Sequence, residues 1–312
     1  MRVTDGVIYD ILLRYDRFRK EQLKRSTEEL SSGKAILKPS DNPVDFARAL
    51  RLQRFVDHIE RFNRNIDLTD NTLKTAETAM TSAINVLQEA RVKIVQVLNT
   101  GALNGEDAKV LADYFRNVAA YVVNMANTKI GDSYLFGGVK TQSAPFSSDG
   151  TYNGETQETT VPVANGVEVN TTFNGSAYFG VNRVTSRITV VEVLNRIADL
   201  IESGDLNALN TETVQVDLGD GVENLKLLDA FDKGLSQIET YRSILGTQQR
   251  VVEDIKNQND AVAVHFKELK SKIEDADYAG AIAEYEKAKT AYQALLAAIT
   301  QTQNLSLLNY FK

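Results

Sequence analysis

Between Leu52 and Val97 apolar residues recur in alternating steps of three and four: Leu52, Phe55, Ile59, Phe62, Ile66, Thr69, Leu73, Ala76, Met80, Ala83, Leu87, Ala90, Ile94 and Val97. Every position but Thr69 is apolar, and no Gly or Pro interrupts the run. The positions between carry charge, among them Arg54, Asp57, Glu60, Arg61, Arg64, Asp67, Asp70, Lys74, Glu77, Glu89, Arg91 and Lys93. That pattern specifies one continuous helix with a single narrow seam, whose core positions are Phe55, Ile59, Phe62, Ile66, Leu73, Met80, Leu87 and Ile94. At about 1.5 Å per residue it is a rod roughly 70 Å long, and it needs partner helices along its whole length. The expected fold is mainly α, an elongated antiparallel bundle or coiled coil formed by N- and C-terminal segments. Only four prolines stand in the 312 residues, which suits long helices.

Upstream, Ile8, Ile11, Leu12, Tyr15, Phe18, Leu23 and Leu30 place an amphipathic helix over Thr4 to Ser32, thinned by Gln22 and Ser26. Gly33 stops it, and Pro39-Ser40-Asp41-Asn42-Pro43 makes a rigid turn in which Asp41 or Asn42 caps the next helix with Pro43 in its first turn. Downstream of the rod, a turn through Asn104 and Gly105 leads to a third helix with Ala108, Leu111, Phe115, Val118, Val122 and Met125 on one stripe, able to fold back onto the rod.

At Gly131 the character of the chain changes. No Lys occurs between Lys140 and Lys226, and residues 142–187 are rich in Thr, Val, Asn and Gly. Asp149-Gly150, Asn153-Gly154, Asn165-Gly166 and Asn174-Gly175 are turn signals, and the runs 159–163, 167–173 and 178–184 between them read as strands of a small β insert. Helical spacing resumes at Thr189 with Val190, Val193, Leu194, Ile197, Leu200 and Ile201, and a hairpin is expected over 213–223. A second rod follows through Ile238, Tyr241, Leu245, Gln248, Val252, Ile255, Asn259, Val262, Phe266, Leu269 and Ile273. Its polar seam positions Gln248 and Asn259 are of the kind that fixes register. After a slip of phase at Asp275-Ala276-Asp277, a last helix carries Ala281, Tyr285, Ala288, Tyr292, Leu295 and Ile299.

The division that results is a terminal coiled coil of 1–42 with 276–312, a helical rod core of 43–138 with 188–275, and a β-rich insert of 139–187. Two rods pairing antiparallel bring both chain ends together. Each terminal helix is marginal alone and buries one stripe on the other. The residues then expected to meet other subunits are Ile8, Ile11, Leu12, Tyr15, Phe18, Tyr292, Leu295, Ile299, Leu305, Leu308 and Phe311.

No catalytic residue, cofactor or metal is expected. With no Cys there are no thiolate nucleophiles or thiolate metal sites, and a chain with none can cross redox compartments without mispairing. His58 and His265 have no ligand or triad partner at a recognisable spacing. Gly131 to Gly138 has the spacing of neither a P-loop nor a dinucleotide loop and reads as a tight connector. The acidic groups Asp217, Asp220, Glu223 and Glu274, Asp275, Asp277 match no complete Ca²⁺ loop, and the sequons at Asn170, Asn174 and Asn304 are compositional. A net charge of −7 argues against nucleic acid, and the basic residues Arg14, Arg17, Arg19, Lys20, Lys24 and Arg25 are mixed with acids as on a solvated helix face. Asp5 and Asp10 rule out a Sec-type signal core, and no run of about 18 apolar residues could span a membrane.

Leu30-Ser31-Ser32-Gly33-Lys34, Ile36-Leu37-Lys38-Pro39-Ser40-Asp41-Asn42-Pro43 and Ala47-Arg48-Ala49-Leu50 resemble the N-terminal region of the bacterial flagellin family, in the variant typical of its hook–filament junction members. Asn127-Thr128 and Gly131 through Gly138, with Thr141-Gln142-Ser143-Ala144-Pro145-Phe146, resemble those members' link from helical core to β region. Ile273 to Ala279 and Gln301 to Leu308 resemble the family's terminal helix. Flagellins themselves usually read Lys-Asp-Asp-Ala-Ala-Gly-like where this chain has Ser40-Asp41-Asn42-Pro43. The resemblance implies a secreted axial component of the extracellular flagellum, exported unfolded with the help of an export chaperone. It would be a homo-oligomer in a ring or helical assembly between the first hook-associated junction protein and flagellin, with its terminal helices lining the channel. The alternatives left open are a flagellin filament subunit and, outside the family, a soluble coiled-coil adaptor.

Overall fold

The computed structural model describes residues 2–99 and 105–310, the side chains of residues 2–6, 8 and 302–310 excepted. In chain order the elements are α1 (Arg2–Ser32), α2 (Pro43–Leu98), α3 (Gly105–Ala126), β1 (Lys129–Ile130), β2 (Ser133–Tyr134), β3 (Thr160–Ala164), β4 (Val167–Asn170), α4 (Gly175–Tyr178), β5 (Val181–Asn182), β6 (Arg187–Ile188), α5 (Thr189–Glu202), α6 (Leu206–Thr211), β7 (Thr213–Val216), β8 (Glu223–Lys226), α7 (Leu227–Glu274) and α8 (Tyr278–Tyr310). Among the described residues the strands pair two by two, β1 with β2, β3 with β4, β5 with β6 and β7 with β8, all antiparallel. The expected turn at Asn104 lies outside the described residues. The chain forms two compact units, Ile59–Asp260, and Met1–His58 with Ala261–Lys312.

In the unit 59–260 the seam of α2 is sealed: Ile59 and Phe62 are buried, and Ile66, Leu73, Met80, Leu87 and Ile94 are at most 1% exposed. Thr69, the one polar seam residue, is fully buried and donates its hydroxyl to the Asn65 carbonyl at 2.8 Å, so it costs no orphaned group. Cross-links fix the direction of α7 against α2. Asn63 reaches Asp260, Asp67 meets Lys256, Gln88 reaches Glu239, and Arg91 grips Asp232 in a two-pronged pair at 2.6 and 2.7 Å. As the number rises on one helix it falls on the other, which is antiparallel pairing. The third helix folds back as its stripe requires, with the Lys93 ammonium over the Tyr114 ring at 5.1 Å, and α5 packs on α3. Arg116 of α3 bridges Asp199 and Glu202 of α5 at 2.9 and 2.6 Å.

The segment between α3 and α5 shares this core. Phe136, Phe146, Phe173 and Phe179 are fully buried, and Tyr178 meets Tyr241 of α7 with ring centroids 4.8 Å apart. Edge-to-face contacts such as Phe136 on Phe179 at 4.9 Å do what a wider sheet would otherwise do. Glycines let the backbone close on these rings: Gly138 stands at φ +63°, and a Cβ there would strike the carbonyls of Glu155 and Gln157. The 131–138 connector is thus a turn around a ring cluster.

Two expectations for this region are corrected. Residues 178–184 are not one strand. Asn174-Gly175 opens a helical turn instead of a hairpin, because the Asn174 side chain accepts from the Ser176 N–H at 3.1 Å and caps α4. Gly180, at φ +61°, then turns the chain so that only Val181 and Asn182 pair with β6. The hairpin expected over 213–223 runs on to Lys226, and α6 precedes it, capped by Asp205, whose side chain accepts from Ala208 N–H. Asn259 does more than fix register: its amide donates to Asn63 and to the Val163 carbonyl, both at 3.2 Å, tying β3 to the helices.

In the other unit α1 ends at Gly33, φ +69°, and Asp41 organises the turn by accepting from the N–H groups of Leu37 and Lys38. Those bonds, that from Lys38 foremost, hold its carboxyl below the usual 3.8. Asn42 caps α2 by accepting from Asp45 N–H at 3.2 Å, with Pro43 in the first turn as the sequence requires. The breaks at 33–35 and 274–276 pair with each other: Ala35 N–H donates to Glu274, Ala276 N–H to Gly33, and Lys34 meets the Glu274 carboxylate at 3.2 Å. The seam changes here. Phe55 stacks on Phe266 with centroids 5.4 Å apart but stays 54% exposed, while Ala49 and Val56 are buried. Two opposed phenyl rings cannot both enter a two-helix contact, so they stack along its edge. Val262 is likewise outside, and Ala263 takes the buried place.

Candidate assembly interface

The side chains expected to meet other subunits divide in two once α1 is seen running against α8. On α8, Ala281 and Ala288 are buried and Tyr292, Leu295 and Ile299 are half-buried, at a spacing that faces one partner. On α1, Leu12, Asp16, Arg19, Leu23 and Ser26 are half-buried. Leu12, Tyr292, Leu295 and Ile299 thus sit on the faces the two helices turn to each other. Ile11, Tyr15 and Phe18 lie outside it, 46%, 53% and 52% exposed, and Val7 extends their line at the same spacing. Ile8, Leu305, Leu308 and Phe311 have side chains outside the described residues.

The pairing is forced by what each helix can offer. The face of α1 turned to α8 is partly polar, and α8 meets it with Ala281 and Ala288 buried but Tyr292, Leu295 and Ile299 only half-buried, so little apolar area is fully covered. Tyr9 and Leu13, which fall off the helical spacing of Ile8, Ile11, Leu12, Tyr15 and Phe18 and so carry no signal in the sequence, add to the uncovered apolar surface of α1. A helix that is apolar on two faces and has one neighbour leaves the second face wet. Around that stripe the charges are partly paired: Lys20 with Asp16 at 2.9 Å, Lys24 with Glu28 at 3.8 Å and Arg25 with Asp41 at 4.0 Å, while Arg14 and Arg17 are exposed. The hydrogen bond that Lys20 donates to the Asp16 carboxylate raises the Lys20 ammonium above its ordinary value.

Five of the six acidic residues weighed as ligands have local structural partners. Asp217 accepts from Gly219 N–H, Glu223 pairs with Lys233 at 2.9 Å, Glu274 with Lys34 and Lys270, and Asp275 with Ser271. Asp277 accepts from Ala279 N–H at the start of α8. The two sequon asparagines with described side chains are also engaged. Asn170 donates to Glu158, and Asn174 caps α4. His265 lies beside Phe266, centroids 6.2 Å apart. No helix among the described residues is long and apolar enough to cross a membrane.

Residues 9–141 match the bacterial flagellin N-terminal helical region, and residues 228–311 match the bacterial flagellin C-terminal helical region. Over 323 aligned residues the chain is 26% identical to flagellar hook-associated protein 3 of Escherichia coli (strain K12), covering 100% of both. It is 23% identical over 280 residues to flagellin of Bacillus subtilis (strain 168), covering 89% of this chain and 88% of that one. The crystal structure of Bacillus cereus FlgL has the same fold, with a TM-score of 0.58 at 22% identity over 70% of this chain and 98% of that one. Carrying both helical regions of flagellin around its middle segment, the chain belongs to the bacterial flagellin family, and within it is similar from end to end to hook-associated protein 3.

Proposed function

We propose that this chain is a structural subunit of the bacterial flagellum, an adaptor between the hook-proximal junction protein and the flagellin filament, and not an enzyme. The observation that carries the assembly is the uncovered stripe Val7, Ile11, Tyr15 and Phe18, on a chain similar over its full length to a hook-associated protein. Burying each of those side chains against a neighbour would stabilise an assembly by about 1.5–3 kcal/mol, and one helix pair alone leaves that energy unused. Copies of the chain form a ring or helical array whose terminal pair, 1–42 with 276–312, lines the channel, and the rods, 43–138 with 188–275, are its second part. The β-rich stretch 139–187 is the third part. The chain is secreted through the flagellar export apparatus with the help of an export chaperone, and the absence of Cys suits that route.

Limited proteolysis in dilute solution tests the assembly. Roughly the first 40 and last 35 residues should be clipped while a core survives, because the terminal pair buries little by itself. A concentration-dependent dimer protected to both ends would instead mark a soluble coiled-coil adaptor. Labelled chain in cells then tests the place: a thin collar at the hook tip supports the adaptor ring, and label along the whole filament would make it a flagellin.

A further inference from the structure

Sulfur enters this chain only as methionine, since Cys is absent, and of the three methionines Met1 lies outside the described residues. The other two have opposite surroundings. Met80 of α2 is completely buried among the seam residues of the closed core. Met125, near the end of α3, packs against that core from its edge and stays partly exposed. It forms one wall of an open groove of about 340 Å³, lined also by Lys74, Thr75, Thr78 and Ser82 of α2 and by Thr128 just beyond α3. One molecule of liquid water occupies about 30 Å³, so the groove admits a solute of a few heavy atoms.

The polar wall of this groove is mostly settled in its own bonds. The hydroxyls of Thr75, Thr78 and Thr128 donate to the carbonyls of Asn71, Lys74 and Met125 at 2.8, 2.8 and 2.7 Å. The Lys74 ammonium donates to Asp70 at 2.7 Å and has two further N–H groups for an acceptor. Among these groups the thioether is the soft, polarizable one, a weak hydrogen-bond acceptor that is open to oxidation.

We propose that Met125 is an oxidation site of the folded chain, taking one oxygen atom from a hydroperoxide while Met80 keeps its thioether. A sulfur lone pair attacks one peroxide oxygen, so that an S–O bond forms and the O–O bond breaks. With hydrogen peroxide the departing oxygen takes the proton and leaves as water. The sulfur is oxidised by two electrons and the peroxide is reduced by two. The new sulfoxide oxygen is a strong acceptor, and the groove wall carries donors for it in Lys74 and Ser82, so the chain keeps its fold after conversion. The same oxygen on Met80 would be a polar group forced into an apolar core. The proposal does not depend on the flagellar role.

The test incubates the full chain with dilute hydrogen peroxide at neutral pH, once folded and once in concentrated urea, and follows the Met80 and Met125 peptides by mass spectrometry. In the folded chain Met125 should outrun Met80 by about tenfold or more, since peroxide reaches Met80 only when the core opens. In urea the two should converge. Met80 keeping pace in the folded chain would overturn the proposal, as would a Met125 that converts in urea and not in the fold. Far-ultraviolet circular dichroism should be unchanged once Met125 alone is converted, and a collapse of the helical signal at that stage would show that the groove does not accommodate the sulfoxide. Thr78→Phe supplies the second arm, for Thr78 is exposed and a ring there narrows the groove from outside the core. It should slow Met125 in the fold and leave its rate in urea unchanged, and an unaltered rate in the fold would rule out the groove as the route.

Discussion

Two pairs of helices in this chain obey the same spacing and come to opposite ends. In the unit 59–260 the seam residues Leu73, Met80 and Leu87 are completely buried, whereas on α1 Ile11, Tyr15 and Phe18 are about half exposed. Both carry apolar residues at helical spacing, although Gln22 and Ser26 thin the second half of α1. What differs is the number of layers: α2 and α7 have α3, α5 and the aromatic cluster laid over them, whereas α1 packs on α8 and keeps its outer stripe uncovered. Amphipathic periodicity states that a face will be buried, and the count of neighbours decides whether it is buried within one molecule.

The largest expected effect tests that difference directly. Leu87→Ala should cost about 2–5 kcal/mol, since it opens a cavity in a closed core. Phe18→Ala should change the stability of the dilute chain by no more than about 0.5 kcal/mol, being a surface substitution there. Urea unfolding followed by circular dichroism measures both. Comparable losses would mean that α1 is covered in solution and would break the comparison.

The outer stripe should matter only when other copies are present. Tyr15→Ala with Phe18→Ala is expected to leave the dilute far-ultraviolet spectrum unchanged and to weaken assembly by about 1.5–3 kcal/mol per ring, read as loss of swimming in cells that carry only this variant. Full motility would move the contact surface elsewhere.

Much of the helical frame was legible because long seams repeat a simple rule many times, so Thr69, Gln248 or Asn259 could depart from it without hiding it. Caps were legible for the same local reason, as at Asn42-Pro43. The middle of the chain was not. Its Asn-Gly pairs promise hairpins, yet Asn174 spends its side chain on a helix cap and the rings of Phe136, Phe146, Phe173 and Phe179 gather from positions far apart in sequence. Such a cluster has no period to read. The division of the terminal residues was hidden for another reason: Leu12 and Ile11 are adjacent in sequence and equally apolar, and only the placement of α8 decides which one is half-buried.

A closed region can also perturb a carboxyl through burial itself. Glu158 accepts from the Asn174 N–H at 2.8 Å and from the Asn170 amide, yet burial beside the rings outweighs these bonds and raises its carboxyl above the ordinary 4.5. A raised carboxyl binds its proton more tightly folded than unfolded. Its stabilising contribution is therefore complete below 4.5 and is lost as pH climbs through the folded value. Glu158→Gln should flatten that part of the pH profile of the melting temperature. Asp16→Asn, which removes the partner of the exposed Lys20, should leave the melting temperature nearly unchanged. An unaltered profile for Glu158→Gln would show that water still reaches the carboxyl.

The smallest effect compares one backbone shape in the two regions. Ser186, in the turn between β5 and β6, and Gly33, at the end of α1, both stand in the left-handed region, at φ +59° and +69°. For a side chain with a Cβ that conformation costs about 1–2 kcal/mol, whereas glycine gives up about 0.5–1 kcal/mol more freedom on folding. Ser186→Gly should thus stabilise by less than about 1 kcal/mol, since the bonds Ser186 makes to Asn182 and Tyr152 are backbone bonds that survive the change. Gly33→Ala runs the other way, for its Cβ would also meet the Tyr278 hydroxyl at 2.7 Å. If the terminal pair opens independently, the Ser186→Gly gain appears in the main melting transition, and the Gly33→Ala loss appears only as faster clipping near residue 33. Equal and opposite shifts of one common transition would instead show that the two units melt together.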